Sequence, residues 1–131
     1  MPSIFSMIIK GEIPSIKVHE DDLTLAIMDI NPIQPGQILV VPKEEISTIW
    51  DMTPASYQAL MATVQKAGQR IKEVFPNKTN VGVIVEGLEV TDHAHVKVFP
   101  FSTVAEFHSS PDSRPKASQQ ELKTMAMKLS F

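Results

Sequence analysis

The pattern of apolar residues predicts an α+β fold of five short strands, one long helix and short helices toward the two ends. Two observations carry most of that expectation. Thr53 and Pro54 suit the cap and first position of a helix, and Tyr57, Leu60, Met61, Val64, Ala67, Ile71, Val74 and Phe75 then recur on one helical face. Gln37 to Val41 is instead a continuous apolar run of strand length, the pattern of a strand buried on both sides.

The other elements follow in order. Ser3 caps a short helix over Ser3 to Lys10, and Gly11 ends it. Pro14 breaks the chain, after which Ile16 to Glu20 alternates as a strand does. Asp21-Asp22 reads as a hairpin turn, and Thr24 to Asp29 as the returning strand. Asn31-Pro32 and Pro35-Gly36 mark a loop before the 37–41 strand. Ser56, Lys66, Arg70 and Glu73 form the polar side of the long helix, which Pro76-Asn77 stops. Strands follow near Asn80 to Glu86 and Ala94 to Pro100. Pro111, Asp112, Ser113, Arg114 and Pro115 give 109–116 the composition of a mobile surface linker. Ser118 to Leu129 is the last helix, with Glu121 placed three residues after Ser118 for a capping box. Ile46 to Met52, around Trp50, is readable as a short helix or as a lid.

Composition narrows the function classes. The 131 residues suffice for one domain with a real core. Apolar residues at 43% and charged residues at 21% match ordinary globular proteins, which argues against disorder. The net charge of −3 argues against nucleic-acid binding by bulk electrostatics. There is no cysteine, hence no disulfide framework and no thiolate metal site. The apolar run Ile4 to Ile9 is too short to span a membrane and has neither a basic leader nor a cleavage site. The expectation is a cytoplasmic protein without membrane partners.

Asp92-His93-Ala94-His95-Val96-Lys97-Val98-Phe99-Pro100 carries the chemistry. On a strand, His93, His95 and Lys97 share one face, about 6–7 Å apart, while Ala94, Val96 and Val98 face the core. Two imidazoles and an ammonium suit an anion such as phosphate. A neutral imidazole is also a nucleophile that titrates near neutral pH. Two histidines so spaced also arise by chance or as metal ligands. Metal is disfavoured, because no cysteine or clear third ligand accompanies them and Lys97 would repel a cation. His19, on a strand near a charged turn, reads as exposed and ordinary.

A wider set of motifs adds to this. Ile4-Phe5, Ile8 to Pro14, Val18, Glu20 to Asp22, Leu25-Ala26, Asp29 to Pro32, Pro35-Gly36 and Leu39 to Lys43 precede His93-x-His95 in order. Together they resemble the histidine triad (HIT) family of nucleotide-binding proteins over roughly residues 3 to 101, by motif placement. The resemblance implies an α+β HIT-like fold with an antiparallel sheet, as a single domain over 1–131. Its core would cover about 3–101, with a C-terminal linker and helix over 102–131.

The resemblance further implies a homodimer with two nucleotide sites, no cofactor and a nucleotide as small-molecule substrate. The activity implied is hydrolysis or nucleotidyl transfer on phosphoramidates or dinucleoside polyphosphates. His95 matches the middle histidine, which forms a nucleotidyl-histidine intermediate, and His93 the first, which orders the site. Asp29 matches the ribose-binding acid, whose carboxylate accepts two hydroxyl hydrogen bonds. Phe5, Ile8, Ile27 and Ile30 match apolar positions that hold the base, although core packing would select the same residue types.

Several positions depart from the family pattern. Lys97 stands where the third histidine is expected. As a point charge it retains the means to contact phosphate. Gln37 replaces a common histidine and Val85 a common asparagine. The 87–92 loop is short, and Asp92 brings a carboxylate that can repel phosphate or pair with Lys97. Ser3 and Ser6 have the spacing of the cysteine pair of zinc-bearing members, and Glu45 replaces a further ligand, so no structural zinc is expected. These departures leave an alternative open, a catalytically impaired nucleotide-binding or regulatory protein.

Overall fold

The computed structural model describes residues 3–88 and 90–131. Its elements are helix α1 (Ile4–Ile9), strands β1 (Lys17–Glu20), β2 (Thr24–Met28) and β3 (Ile38–Pro42), and the long helix α2 (Pro54–Val74). Strands β4 (Asn80–Ile84) and β5 (Val96–Phe101), then helices α3 (Val104–Phe107) and α4 (Gln119–Leu129), complete the chain. The five strands form one antiparallel sheet in the order β1-β2-β3-β5-β4. The expected α+β architecture is therefore what the chain adopts.

Caps explain where the helices start. Ser3 accepts the N–H of Ser6, Thr53 that of Ser56 and Ser118 that of Glu121, each an orphan donor of a first helical turn. The capping box expected at Ser118 and Glu121 is complete. The hairpin turn lacks glycine, and a side chain supplies what the backbone cannot. Asp21 Oδ1 accepts the N–H groups of Leu23 and Thr24, at 2.9 and 2.8 Å. Helix α3 starts at a Thr103 cap that accepts the Glu106 N–H, but its four residues are too few to show a period.

Strand alternation splits the core between the two faces of the sheet. Ala26, Met28, Ile38, Val40, Val96 and Val98 pack with Leu60, Val64, Ala67 and Ile71 of α2. Leu122, Ala126 and Leu129 of α4 join the same cluster, so the C-terminal helix is part of the main core. On the opposite face Leu25, Ile27, Leu39 and Val41 pack against Phe5 and Ile8 of α1. The central strands β2 and β3 are buried throughout, as the continuous apolar run at 37–41 predicts.

Two local expectations are revised, and a third, left between two readings, is decided. His19 is half-buried, stacked on Phe131 at 4.6 Å and hydrogen-bonded to the Phe131 carbonyl and the Asp21 carboxylate. The 109–116 linker is anchored, with Arg114 donating to the Pro32 carbonyl at 3.1 Å. Around Trp50 there is one short 3-10 turn, Ile49–Asp51, with the indole almost fully exposed. Among the described residues no helix is long and apolar enough to cross a membrane.

Candidate functional site

The α1 face of the sheet gathers most of the residues singled out in the sequence. Strand β5 carries Lys97, and the segment just before it carries His93 and His95, all three buried. Val96 and Val98 point to the α2 core, so the alternation read from the sequence holds along β5. Ala94 donates its N–H to the Ile46 carbonyl at 2.7 Å, which fixes the chain between the two histidines.

The two imidazoles have different surroundings. His93 is fully buried, with Nδ1 2.8 Å from Ser3 Oγ and Nε2 2.8 Å from the Pro42 carbonyl oxygen. A carbonyl only accepts, so Nε2 carries a proton, while Nδ1 faces the Ser3 hydroxyl. His95 presents Nδ1 to the His93 carbonyl at 3.0 Å. The same argument puts the His95 proton on Nδ1 and leaves the lone pair on Nε2. Among the described residues Nε2 has no hydrogen-bond partner, and no buried side-chain nitrogen lacks one, so this atom reaches solvent. Only His95 thus has a ring nitrogen available to attack.

The apolar wall beside His95 comes from α1 and β2. The Phe5 ring lies 5.2 Å from that of His95 and 5.8 Å, edge-on, from that of His93. Ile8 and Ile27 belong to the same cluster as Phe5. Ile30 does not join them; it is 65% exposed, because the strand has ended at Met28.

Lys97 forms an ion pair with Glu86, Nζ standing 3.0 Å from Oε1 and 3.3 Å from Oε2. Register explains the meeting. Ile84 pairs with Lys97, and Glu86 follows two residues on, toward the same face. Glu86 gave no sequence signal, since only the β4–β5 pairing brings it here. The sequence alone also allows Asp92 as a partner for Lys97; the ion pair seen is with Glu86.

Asp29 is buried at the end of β2, held by two bonds. Gln37 Nε2 donates to Oδ2, and the Asn31 N–H donates to Oδ1 at 2.8 Å. Gln37 thereby orients Asp29, while its Oε1 accepts from the Ile33 N–H at 2.9 Å. Asp29 also lines a cavity of about 280 Å³ shared with Arg114, Leu122 and Met125.

Glu45, at the edge of the His93 pocket, accepts hydrogen bonds from the Ser6 hydroxyl and the Ser3 N–H. The Ser6 bond is the main reason its carboxyl lies below the usual range.

Comparisons with known proteins agree with the fold. The HIT domain model matches residues 10–104. The chain belongs to the HIT domain family. An uncharacterized HIT-like protein of Borreliella burgdorferi is 39% identical over 71 residues. That match covers 54% of this chain and 51% of that protein, so the chain spans about half the length of this relative. The adenosine 5'-monophosphoramidase hnt1 of Schizosaccharomyces pombe is 34% identical over 76% of this HIT chain and 74% of its own length. The crystal structure of a HIT-like protein from Bartonella henselae, described as involved in cell-cycle regulation, superposes with a TM-score of 0.82. It is 27% identical, over 97% of this chain and 93% of its own.

Proposed function

We propose that this HIT protein cleaves a nucleoside monophosphate from a phosphoramidate or a dinucleoside polyphosphate through a nucleotidyl-His95 intermediate. The observation that carries the reading is the tautomer of His95, protonated on Nδ1 by its bond to the His93 carbonyl and bare on Nε2. Membership of a family whose fission-yeast relative is named an adenosine 5'-monophosphoramidase supports the substrate class.

In this reading Nε2 attacks the α-phosphorus. The Nε2–P bond forms as the bond to the leaving group breaks, and the leaving group takes its electron pair and a proton from water. Water then attacks phosphorus, the P–Nε2 bond breaks, and the nucleoside monophosphate departs with the imidazole neutral again. Lys97, at the place of the third histidine, supplies positive charge to the phosphoryl oxygens once Glu86 yields to the substrate. Phe5, Ile8 and Ile27 would flank the base, exposed Ile30 would cover it, and Asp29 would accept the ribose hydroxyls.

The first test is mass spectrometry after incubation with an adenylate phosphoramidate. A gain of one adenylyl group on His95, absent in His95→Ala, is the expected result. Adduct formation in the alanine variant would remove His95 from the reaction.

One observation favours a second reading, binding without turnover. Glu86 already neutralises Lys97, which lowers the field available to a developing phosphoryl charge. That reading predicts nucleotide binding by calorimetry with neither adduct nor product, and any His95-dependent turnover eliminates it.

A further inference from the structure

Ser3 and Ser6 have the spacing of the cysteine pair that the family resemblance associates with zinc, and Glu45 stands where it implies a further ligand. The donor set here is two hydroxyls, one carboxylate and the His93 imidazole. A serine hydroxyl stays protonated near neutral pH and replaces a thiolate poorly, while a structural zinc needs four good ligands. Among the described residues no group of three or more His, Cys, Asp or Glu could hold a metal ion. The residues do not fit zinc.

What they form is a closed chain of hydrogen bonds. Ser3 Oγ accepts the Ser6 N–H at 2.9 Å and lies 2.8 Å from His93 Nδ1. Ser6 Oγ lies 3.0 Å from Ser3 Oγ and 3.4 Å from the same imidazole nitrogen. Both serines are buried, at 3% and 5% exposure, so their hydroxyls must find partners inside the protein. Ser3 Oγ donates to Ser6 Oγ, and the Ser6 hydroxyl donates outward to Glu45. The far side of His93 is fixed by the Pro42 carbonyl, and the His93 carbonyl fixes His95.

We infer that Ser3, Ser6 and Glu45 are positioning residues, a metal-free clasp that holds His93 and, through the His93 carbonyl, sets the orientation and tautomer of His95. The same clasp ties α1 to the segment before β5, and α1 brings Phe5 against the His95 ring. Its effect on rate rests on the reaction proposed at His95; its effect on the imidazoles does not.

The test uses the full-length chain and reads both. Metal analysis should find far less than one zinc per chain, and a chelator should leave the melting temperature unchanged. Stoichiometric zinc would overturn the inference. Nitrogen-15 NMR of the histidine rings is then compared for wild type, Ser6→Ala, Glu45→Ala and Glu45→Gln. Ser6→Ala spares the helix cap, whose acceptor is Ser3 Oγ, and Glu45 is exposed, so these variants should fold.

Ser6→Ala and Glu45→Ala should move the ring signals of His93 and His95 together and loosen the Nδ1–H preference of His95. Their kcat on the phosphoramidate should fall about tenfold with little change in KM, the low end for groups that orient a functional histidine. Glu45→Gln keeps an acceptor for the Ser6 hydroxyl and should resemble wild type. Unchanged ring signals in the alanine variants, or a glutamine variant as perturbed as Glu45→Ala, would overturn the clasp. Wild type without turnover would sink the proposed reaction alone and leave the ring signals to judge the clasp.

Discussion

Asp21 shows how one side chain settles a local structure that the backbone alone would not choose. Burial opposes its charge, but hydrogen bonds from His19, from the N–H groups of Leu23 and Thr24 and from the Thr24 hydroxyl outweigh that opposition. Its carboxyl is held well below the ordinary carboxylate value. A carboxyl depressed in the folded state stabilises the fold above its unfolded pKa, about 4, and the contribution is lost as pH falls below that. The Asp21 side chain is 43% exposed, so solvent screens part of the effect. The melting temperature should therefore fall as pH drops from 5 to 3, and less steeply in Asp21→Asn, where the turn keeps an acceptor. Parallel slopes in calorimetric scans of the two proteins would show that this carboxylate does not govern acid sensitivity.

At the scale of elements, the structure separates what sequence patterns encode from what only packing reveals. Helices α1, α2 and α4 start where Ser3, Thr53 and Ser118 indicate, because a cap is a local bond between residues three apart. The strands fall within about two residues of expectation, because alternation is local as well. The candidate site was legible as far as it lies along one short stretch, from His93 to Lys97. Glu86 and Gln37 were not legible as partners, since they meet Lys97 and Asp29 only once consecutive strands have paired in one particular register. Ile30 lies just beyond the end of β2 and is exposed, a position that the apolar pattern alone does not distinguish from one inside the strand.

Helix α4 makes the point in energy. It lies beyond the 3–101 stretch that carries the family resemblance, yet Leu129 is fully buried against the cluster shared with α2. Leu129→Ala should cost about 2–5 kcal/mol in urea titrations, the range for a buried leucine whose cavity fills only partly. A loss below about 1 kcal/mol would mean that the site collapses freely and that α4 is peripheral after all.

For the whole molecule, the sheet order decides which surface is left open. Strand β1 has Phe131 bonded through its N–H to the Val18 carbonyl at 3.0 Å. Strand β4 is the opposite edge, five residues with no lysine or proline to discourage pairing, and Val83 on it is 45% exposed. Val85, just beyond, is exposed as well. An edge of unpaired N–H and C=O groups flanked by exposed valines is suited to antiparallel pairing with its own copy about a two-fold axis. The homodimer that the family resemblance implies should form there. Light scattering should then give a mass near twice 14.5 kDa at tens of micromolar protein. Val83→Lys puts a charge where the two edges would meet, so it should move the mass toward one chain and make the melting temperature independent of protein concentration. A wild-type chain that stays at the single-chain mass would refute the dimer. A Val83→Lys protein that stays dimeric would keep the dimer but move its interface away from β4.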